Sequence, residues 1–344
     1  MLHDGRWLGR RASRSFTLQW HLTNACELRC KHCYDRTKIA ALSLEQALGV
    51  LEGMVAFCRA RGVSGKLSLT GGNPFLYPKF MELYRAAAET NLGINILGNP
   101  VSREALAELA ALRRPSYFQV SLEGLEAHND QVRGAGHFQR VLEFLPWLRE
   151  QGIRANVMLT LTKANLDQVI PLGERLIGLA DRFTFNRLSQ TGEGANLEVP
   201  ETEAYVEFMK RYLEATRNNP ILAVKDNLFN IVRQHFGRES FGGCTGYGCG
   251  AALNFFALLP DGEVHACRKF PSPLGNLLEL GFAGVYDSSE AKRYRIGCSQ
   301  CRFCPLRANC GGCLAVTEGR GLDPFKDRDP DCFHREQRKL LSEW

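Results

Sequence analysis

The chain lacks any apolar run long enough to span a bilayer, and nothing at its N-terminus reads as a secretory signal. Arg10 and Arg11 form a twin-arginine pair, but Arg14 and polar residues stand where an apolar stretch would have to follow. These absences predict a cytoplasmic protein with no membrane partner. Internal repeats and low-complexity tracts are missing too, which argues against a solenoid or a disordered tether. Strong charge of one sign is also absent. A formal net charge of +6 suits an anionic ligand or an acidic peptide, but it is too diffuse for nucleic acid. With 44% hydrophobic and 23% charged residues over 344 positions, the composition is that of a globular protein. It has room for one large α/β domain with an appendage, or for two ordinary domains.

Cysteine is what the chain has in plenty: thirteen. In a reducing compartment clustered thiols bind metal or catalyse, and an odd number fits a closed disulfide framework poorly. Scattered core thiols do not account for them, because all but Cys58 and Cys298 fall into spaced groups. Cys58 lies in a helical pattern and reads as a core thiol.

From about Ser15 to about Arg217, short β-rich runs alternate with longer amphipathic ones. The predicted strands are Phe16–Trp20, Lys66–Thr70, Gly93–Leu97, Tyr117–Leu122, Arg154–Leu161 and Arg182–Arg187. Helical stretches separate them at Ser43–Arg61, Pro78–Thr90, Ser102–Leu112, Phe138–Gln151 and Leu166–Leu179, with Thr202–Arg217 following. Ser43 and Ser102 each precede a first-turn acid, as a capping residue does. Six β/α units imply a parallel sheet with right-handed crossovers, too few to close an eight-stranded barrel. The expectation is a partial, TIM-like (β/α)6 barrel with its chemistry at the strand C-termini. After a short helical stretch at Leu228–Phe236 the chain becomes rich in Cys and Gly and shows one β-hairpin, Asn254–Leu259 and Glu263–Ala266 around Pro260-Asp261-Gly262. Such a region is expected to bury little apolar core and to need metal to hold it together. We place the boundary near 225, giving units 1–225 and 226–344. Arg335–Trp344 is a candidate amphipathic helix.

Just past the first strand, Cys26, Cys30 and Cys33 form C-x3-C-x2-C. Three thiolates on one short loop can ligate three irons of a [4Fe–4S] cube and leave the fourth iron open. A structural zinc site is the alternative, but it would want a fourth ligand, and His32 sits too close to serve easily.

At these residues the sequence resembles the radical S-adenosylmethionine (SAM) superfamily, over nearly the whole chain. The resemblance implies that SAM chelates the open iron and is split reductively to a 5′-deoxyadenosyl radical. It makes Cys26, Cys30 and Cys33 the catalytic cluster ligands and puts His32 where an aromatic residue packs near the adenine. Thr70-Gly71-Gly72-Asn73-Pro74 looks like the family's GGE-P loop against the methionine moiety, with Asn73 in place of the usual Glu. Ser121-Leu122-Glu123-Gly124 is similar to its S-x-D-G, with Ser121 directed at SAM, and Arg133 matches an arginine that pairs with the SAM carboxylate.

Eight further thiols, Cys244, Cys249, Cys267, Cys301, Cys304, Cys310, Cys313 and Cys332, suffice for two fully ligated [4Fe–4S] clusters. Their spacing resembles the SPASM extension of the same superfamily. That resemblance implies one auxiliary cluster on Cys244, Cys249, Cys267 and Cys313, and another on Cys301, Cys304, Cys310 and Cys332. The cofactors expected are therefore three [4Fe–4S] clusters and SAM. Cys310 and Cys313 are separated by two residues where three are usual, and Cys298 makes a second C-x2-C with Cys301. Two zinc ribbons on the same thiols are the alternative. Sulfatase-maturing members carry a basic Asp directly after the third cysteine of this group. Arg268 stands there instead, which argues against that activity and leaves a substrate-pairing, surface or cluster-tuning cation.

Enzymes of this layout commonly modify ribosomally made peptides, so the resemblance implies hydrogen abstraction from a peptide, and the residues around Cys26–Asp35 and Gly71–Pro74 look similar to thiazole- or selenazole-type (thio(seleno)oxazole) maturases. It also implies an electron donor such as flavodoxin or ferredoxin. Few residues precede the first strand, so leader recognition is expected from a separate leader-peptide-binding protein or another surface. Maturation of a small redox cofactor or tetrapyrrole is a second enzymatic reading, and a non-catalytic iron–sulfur electron carrier a third. An electron carrier has no need of Gly71, Gly72, Ser121 and Arg133.

Overall fold

The computed structural model describes residues 13–335 and 337–341. Arg10, Arg11 and the end of the candidate tail helix lie outside them; Gln337–Leu340 forms a short helix. Six strands, β1 (Ser15–His21), β2 (Ser64–Thr70), β3 (Gly93–Leu97), β4 (Tyr117–Ser121), β5 (Ala155–Leu161) and β6 (Arg182–Arg187), lie side by side in chain order and run parallel. Between them come α1 (Leu44–Arg61), α2 (Phe80–Ala88), α3 (Arg103–Leu112), α4 (Glu126–Arg133), α5 (His137–Glu150) and α6 (Val169–Arg175), and α7 (Thr202–Asn218) follows β6. The partial barrel is as the alternating runs predict.

Local chemistry sets the helix ends. Ser43 Oγ accepts from Gln46 N at 3.2 Å while Gln46 Oε1 accepts from Ser43 N at 3.0 Å, and Gly62 closes α1 in the left-handed region. Ser102 caps α3 by accepting from Ala105 N at 3.2 Å. The helix predicted over Leu166–Leu179 is shorter. Pro171 has no N–H to give, so a 3-10 turn at Lys163–Gln168 precedes α6. No helical pattern marks α4, because it is almost wholly polar and buries only Asn129.

The C-terminal region corrects the expectation of a scant apolar core. After α8 (Phe229–His235), strand β7 (Phe255–Leu258) pairs parallel with β1 and turns into β8 (Glu263–His265) and β9 (Pro273–Asn276). The sheet order is β6-β5-β4-β3-β2-β1-β7-β8-β9. Register places Phe256, Leu18, Leu67 and Ile94 in one row across four strands, all fully buried. Helices α9 (Leu277–Asp287), α10 (Ser289–Ile296) and α11 (Leu314–Gly319) complete the region. Phe256 and Phe282 meet Phe16 edge-on, with ring centroids 5.1 and 6.4 Å apart. Each such side chain contributes roughly 1.5–3 kcal/mol by burial. The hairpin extends the barrel's helix-covered face instead of building a core of its own.

Along each strand the alternate residues form the opposite face. There the row is polar: Gln19, Ser68, Asn95 and Tyr117 are in register across β1–β4, and Asn95 Nδ2 donates to Ser68 Oγ at 3.2 Å. Among the described residues no helix is long and apolar enough to cross a membrane.

Candidate active site

The loop after β1 carries Cys26, which is exposed, and Cys30 and Cys33, which are partly buried. Neighbouring elements fasten it. Gly72 N and Asn73 N donate to Thr23 O and Ala25 O at 2.8 Å, Lys31 N to Val132 O of α4 at 3.0 Å, and Glu193 N to Cys33 O at 2.9 Å. A Cβ on Gly71 would stand 2.2 Å from Thr23 O, and one on Gly72 2.2 Å from Ala25 O. The close approach that demands glycine in this structure is therefore to the cysteine loop itself. Burial raises all three thiols above the ordinary value, opposed by Arg133 at Cys30 and by Arg36 at Cys33. A coordinating metal reverses that preference by stabilising the thiolate.

Glu123, beyond β4, is buried. Its Oε1 accepts from Arg133 Nε at 2.9 Å and Nη2 at 2.6 Å, its Oε2 from Thr160 N at 2.8 Å, and His32 Nε2 lies 3.3 Å from Oε1. Burial alone would raise this carboxyl. His32 and Arg133 outweigh it and hold it well below the usual carboxylate range. The Nε–Nη2 edge of the Arg133 guanidinium is thus committed to Glu123, and Nη1 points to Cys30 Sγ at 3.7 Å. Ser121 ends β4 half-buried. Asn73 caps the Pro74–Leu76 turn and gives its Nδ2 to both oxygens of Glu27 at 3.1 Å.

None of the thirteen cysteines is in a disulfide. The charges of Cys249 and Cys313 act on Cys267, and Lys269 feels Cys244, Cys267 and Cys313, so these four thiols form one neighbourhood. Burial pushes Cys267 up to about 12. Cys301, Cys304, Cys310 and Cys332 line a single cavity. Cys298 lines a different one with Cys249 and Cys301. Its hydrogen bond to Cys301 draws Cys298 below the ordinary thiol value. Cys58 is a core thiol in α1, raised to about 11 by burial.

Residues 20–176 match the model of the radical SAM superfamily, and residues 249–313 that of SPASM, an iron–sulfur cluster-binding domain. The chain is a radical SAM enzyme. Mycofactocin maturase MftC of Mycobacterium ulcerans is 29% identical, over 92% of this chain and 87% of the relative. The subtilosin biosynthesis protein AlbA of Bacillus subtilis is 24% identical, over 98% of this chain and 75% of its own. Streptococcus suis SuiB, solved with S-adenosylmethionine bound, superposes with a TM-score of 0.71 at 20% identity, over 93% of this chain and 77% of that one. As a radical SAM enzyme with a SPASM domain, the chain uses SAM and up to three [4Fe–4S] clusters. The donor sets fit these groups: thiols on one fastened loop, a thiol-lined cavity and a third cluster of four thiols.

Three features escaped the sequence reading. Glu27 carried a signal only as the residue inside C-x3-C. Arg268 does not project as a free cation but pairs with Asp35, two residues after Cys33. Arg187, at the end of β6, is buried against Asp226, Asp329 and Asp331 at 2.8, 2.6 and 2.8 Å. Asp329 Oδ2 in turn accepts from Cys313 N at 2.7 Å. The acidic run Asp327–Asp331 was the available hint.

Proposed function

We propose that Cys26, Cys30 and Cys33 hold the SAM-splitting cluster and that the enzyme abstracts hydrogen from a peptide side chain or backbone. When bound, the reduced cluster supplies the electron that splits a carbon–sulfur bond of SAM, and the 5′-deoxyadenosyl radical removes the hydrogen. The observation that carries this reading is the convergence at one end of the sheet: the cysteine loop is bonded directly to the Gly71-Gly72-Asn73 loop and to α4, which bears Arg133. Gly71 and Gly72 set the loop's position, and Ser121 and the Nη1 side of Arg133, beside Cys30, serve the methionine end. His32 and Glu123 fix Arg133. Residues 1–225 act as the catalytic unit. Residues 226–344 hold two auxiliary clusters, on Cys244, Cys249, Cys267 and Cys313 and on Cys301, Cys304, Cys310 and Cys332, with Asp329 and Arg187 steadying the first.

A peptide substrate is favoured because relatives across most of the chain are named as a mycofactocin maturase and a bacteriocin (subtilosin) biosynthesis protein, and SuiB has been solved with its precursor peptide SuiA. A flavodoxin or ferredoxin as electron donor and a separate leader-binding protein complete the proposal. The test is 5′-deoxyadenosine release by the anaerobically reconstituted protein with SAM and a strong reductant. The Cys26→Ala/Cys30→Ala/Cys33→Ala variant is the control. Release in the native protein alone, increased by a peptide encoded beside the gene, is expected. No release from protein carrying a reducible N-terminal cluster would overturn the assignment.

A further inference from the structure

We propose that Glu27 accepts a hydrogen bond from the amino group of SAM, supplying the carboxylate that Asn73 does not. The assignment rests on SAM binding at the Cys26 loop and names the residue that selects its amino group.

Glu27 directly follows Cys26 and is exposed on the loop. Asn73 Nδ2 donates to both its oxygens at 3.1 Å, and Asn99 Nδ2 donates to Oε1 at 2.9 Å while lying 3.6 Å from Cys26 Sγ. The Asn73 amide has one workable orientation. Its side chain is buried and its Oδ1 accepts from Phe75 N at 3.2 Å, so the Nδ2 donor must face Glu27. Two neutral amides orient the carboxylate without neutralising it. Of the cations around the loop, His32 and Arg133 pair with Glu123, Arg36 with Glu193, and Arg268 with Asp35, while Arg29 and Lys31 on the loop itself form no ion pair with Glu27 among the described residues. A preorganised anion therefore stands beside the cluster loop without a cation of its own.

The methionine end of SAM carries the matching group. Its amino group would approach the iron that the three thiolates leave open, and Glu27 is adjacent to the first of those thiolates. The Glu27–Asn73 pair keeps one carboxylate and one amide hydrogen-bonded at this spot, with the charge on residue 27 instead of residue 73. A hydrogen bond from that amino N–H to an ionised carboxylate is charge-assisted and about twice as strong as a neutral one. The competing account makes Glu27 only the tether of Asn73, with no ligand contact.

The two accounts separate by binding, independently of turnover. Anaerobic equilibrium dialysis of the cluster-loaded full chain would compare SAM with an analogue bearing hydrogen in place of the α-amino group. Glu27→Gln is expected to weaken SAM about tenfold to hundredfold and to leave the analogue within about twofold. The exchange variant Glu27→Asn/Asn73→Glu is expected to bind SAM within about threefold of native, because the charge is restored across the same pair. Equal SAM affinity in Glu27→Gln, or an equal loss for both ligands, overturns the assignment. Where Glu27→Gln fails to load iron, the exchange variant decides: SAM binding recovered supports the proposal, and SAM binding lost from loaded protein overturns it. A loaded native chain that binds neither ligand overturns the reading of the site itself, and this assignment with it.

Discussion

Arg268, next to Cys267, forms an ion pair with Asp35, two residues beyond Cys33, so a single contact ties the two cysteine-bearing regions together. Both side chains are largely buried, and the guanidinium also lies 5.1 Å from the centroid of the Tyr34 ring. Burial lowers the Arg268 pKa and raises Tyr34 to about 12.

Removing either partner leaves the other charge buried and uncompensated, which costs on the order of 3 kcal/mol. Asp35→Asn and Arg268→Gln are each expected to lower the thermal midpoint of the cluster-loaded protein. The double variant is expected to fall well short of the summed losses. Strict additivity in that cycle would show that the pair does not couple the two regions.

Gly72 and Gly49 make a matched contrast. A Cβ at Gly72 meets Ala25 O at 2.2 Å, whereas one at Gly49, on the exposed side of α1, meets nothing within 4 Å. Gly72→Ala is expected to destabilise by about 1–3 kcal/mol through forced backbone movement and to weaken SAM binding with it. Gly49→Ala is expected to stabilise by about 0.5–1 kcal/mol, as alanine does inside an exposed helix. Paired melting curves and SAM dialysis on the two variants check both signs.

His137 gives the fold a pH dependence of definite sign. It is buried, its Nδ1 lies 3.2 Å from Asn129 Nδ2, and burial, aided by Arg133 and Arg140, brings its pKa down to about 4. The unfolded chain takes up a proton near pH 6.5 that the folded chain refuses until about pH 4. Stability is therefore full above pH 6.5 and falls as pH drops toward 4, by on the order of 3 kcal/mol. Melting at pH 7 and pH 5 should show a smaller drop for His137→Gln than for the native chain. Equal drops would remove His137 as the source.

Strands and metal-type motifs were legible because their signals are local. The six strands follow from β-rich runs of five to seven residues, and the cysteine groups from spacing on short loops. What the sequence hid depends on contacts between distant positions. The polar helix α4 has no apolar stripe to announce it, and α9 to α11 sit among cysteines and glycines that mask periodicity. The Glu27–Asn73 and Asp35–Arg268 pairs join residues on separate loops. Arg187 gathers carboxylates from two remote segments, and no residue in its own strand foretells them.

The pairing of β7 with β1 has a consequence for how the protein is made. β1 is among the first parts of the described chain to leave the ribosome, yet its outer neighbour lies in the last third. Until that neighbour arrives, β1 is an edge strand with open N–H and C=O groups, a template for pairing with another chain. Contacts so far apart in sequence close slowly. The nascent half-barrel should therefore depend on chaperones through synthesis of its C-terminal third, and truncation before Phe255 should yield aggregates instead of a smaller working enzyme.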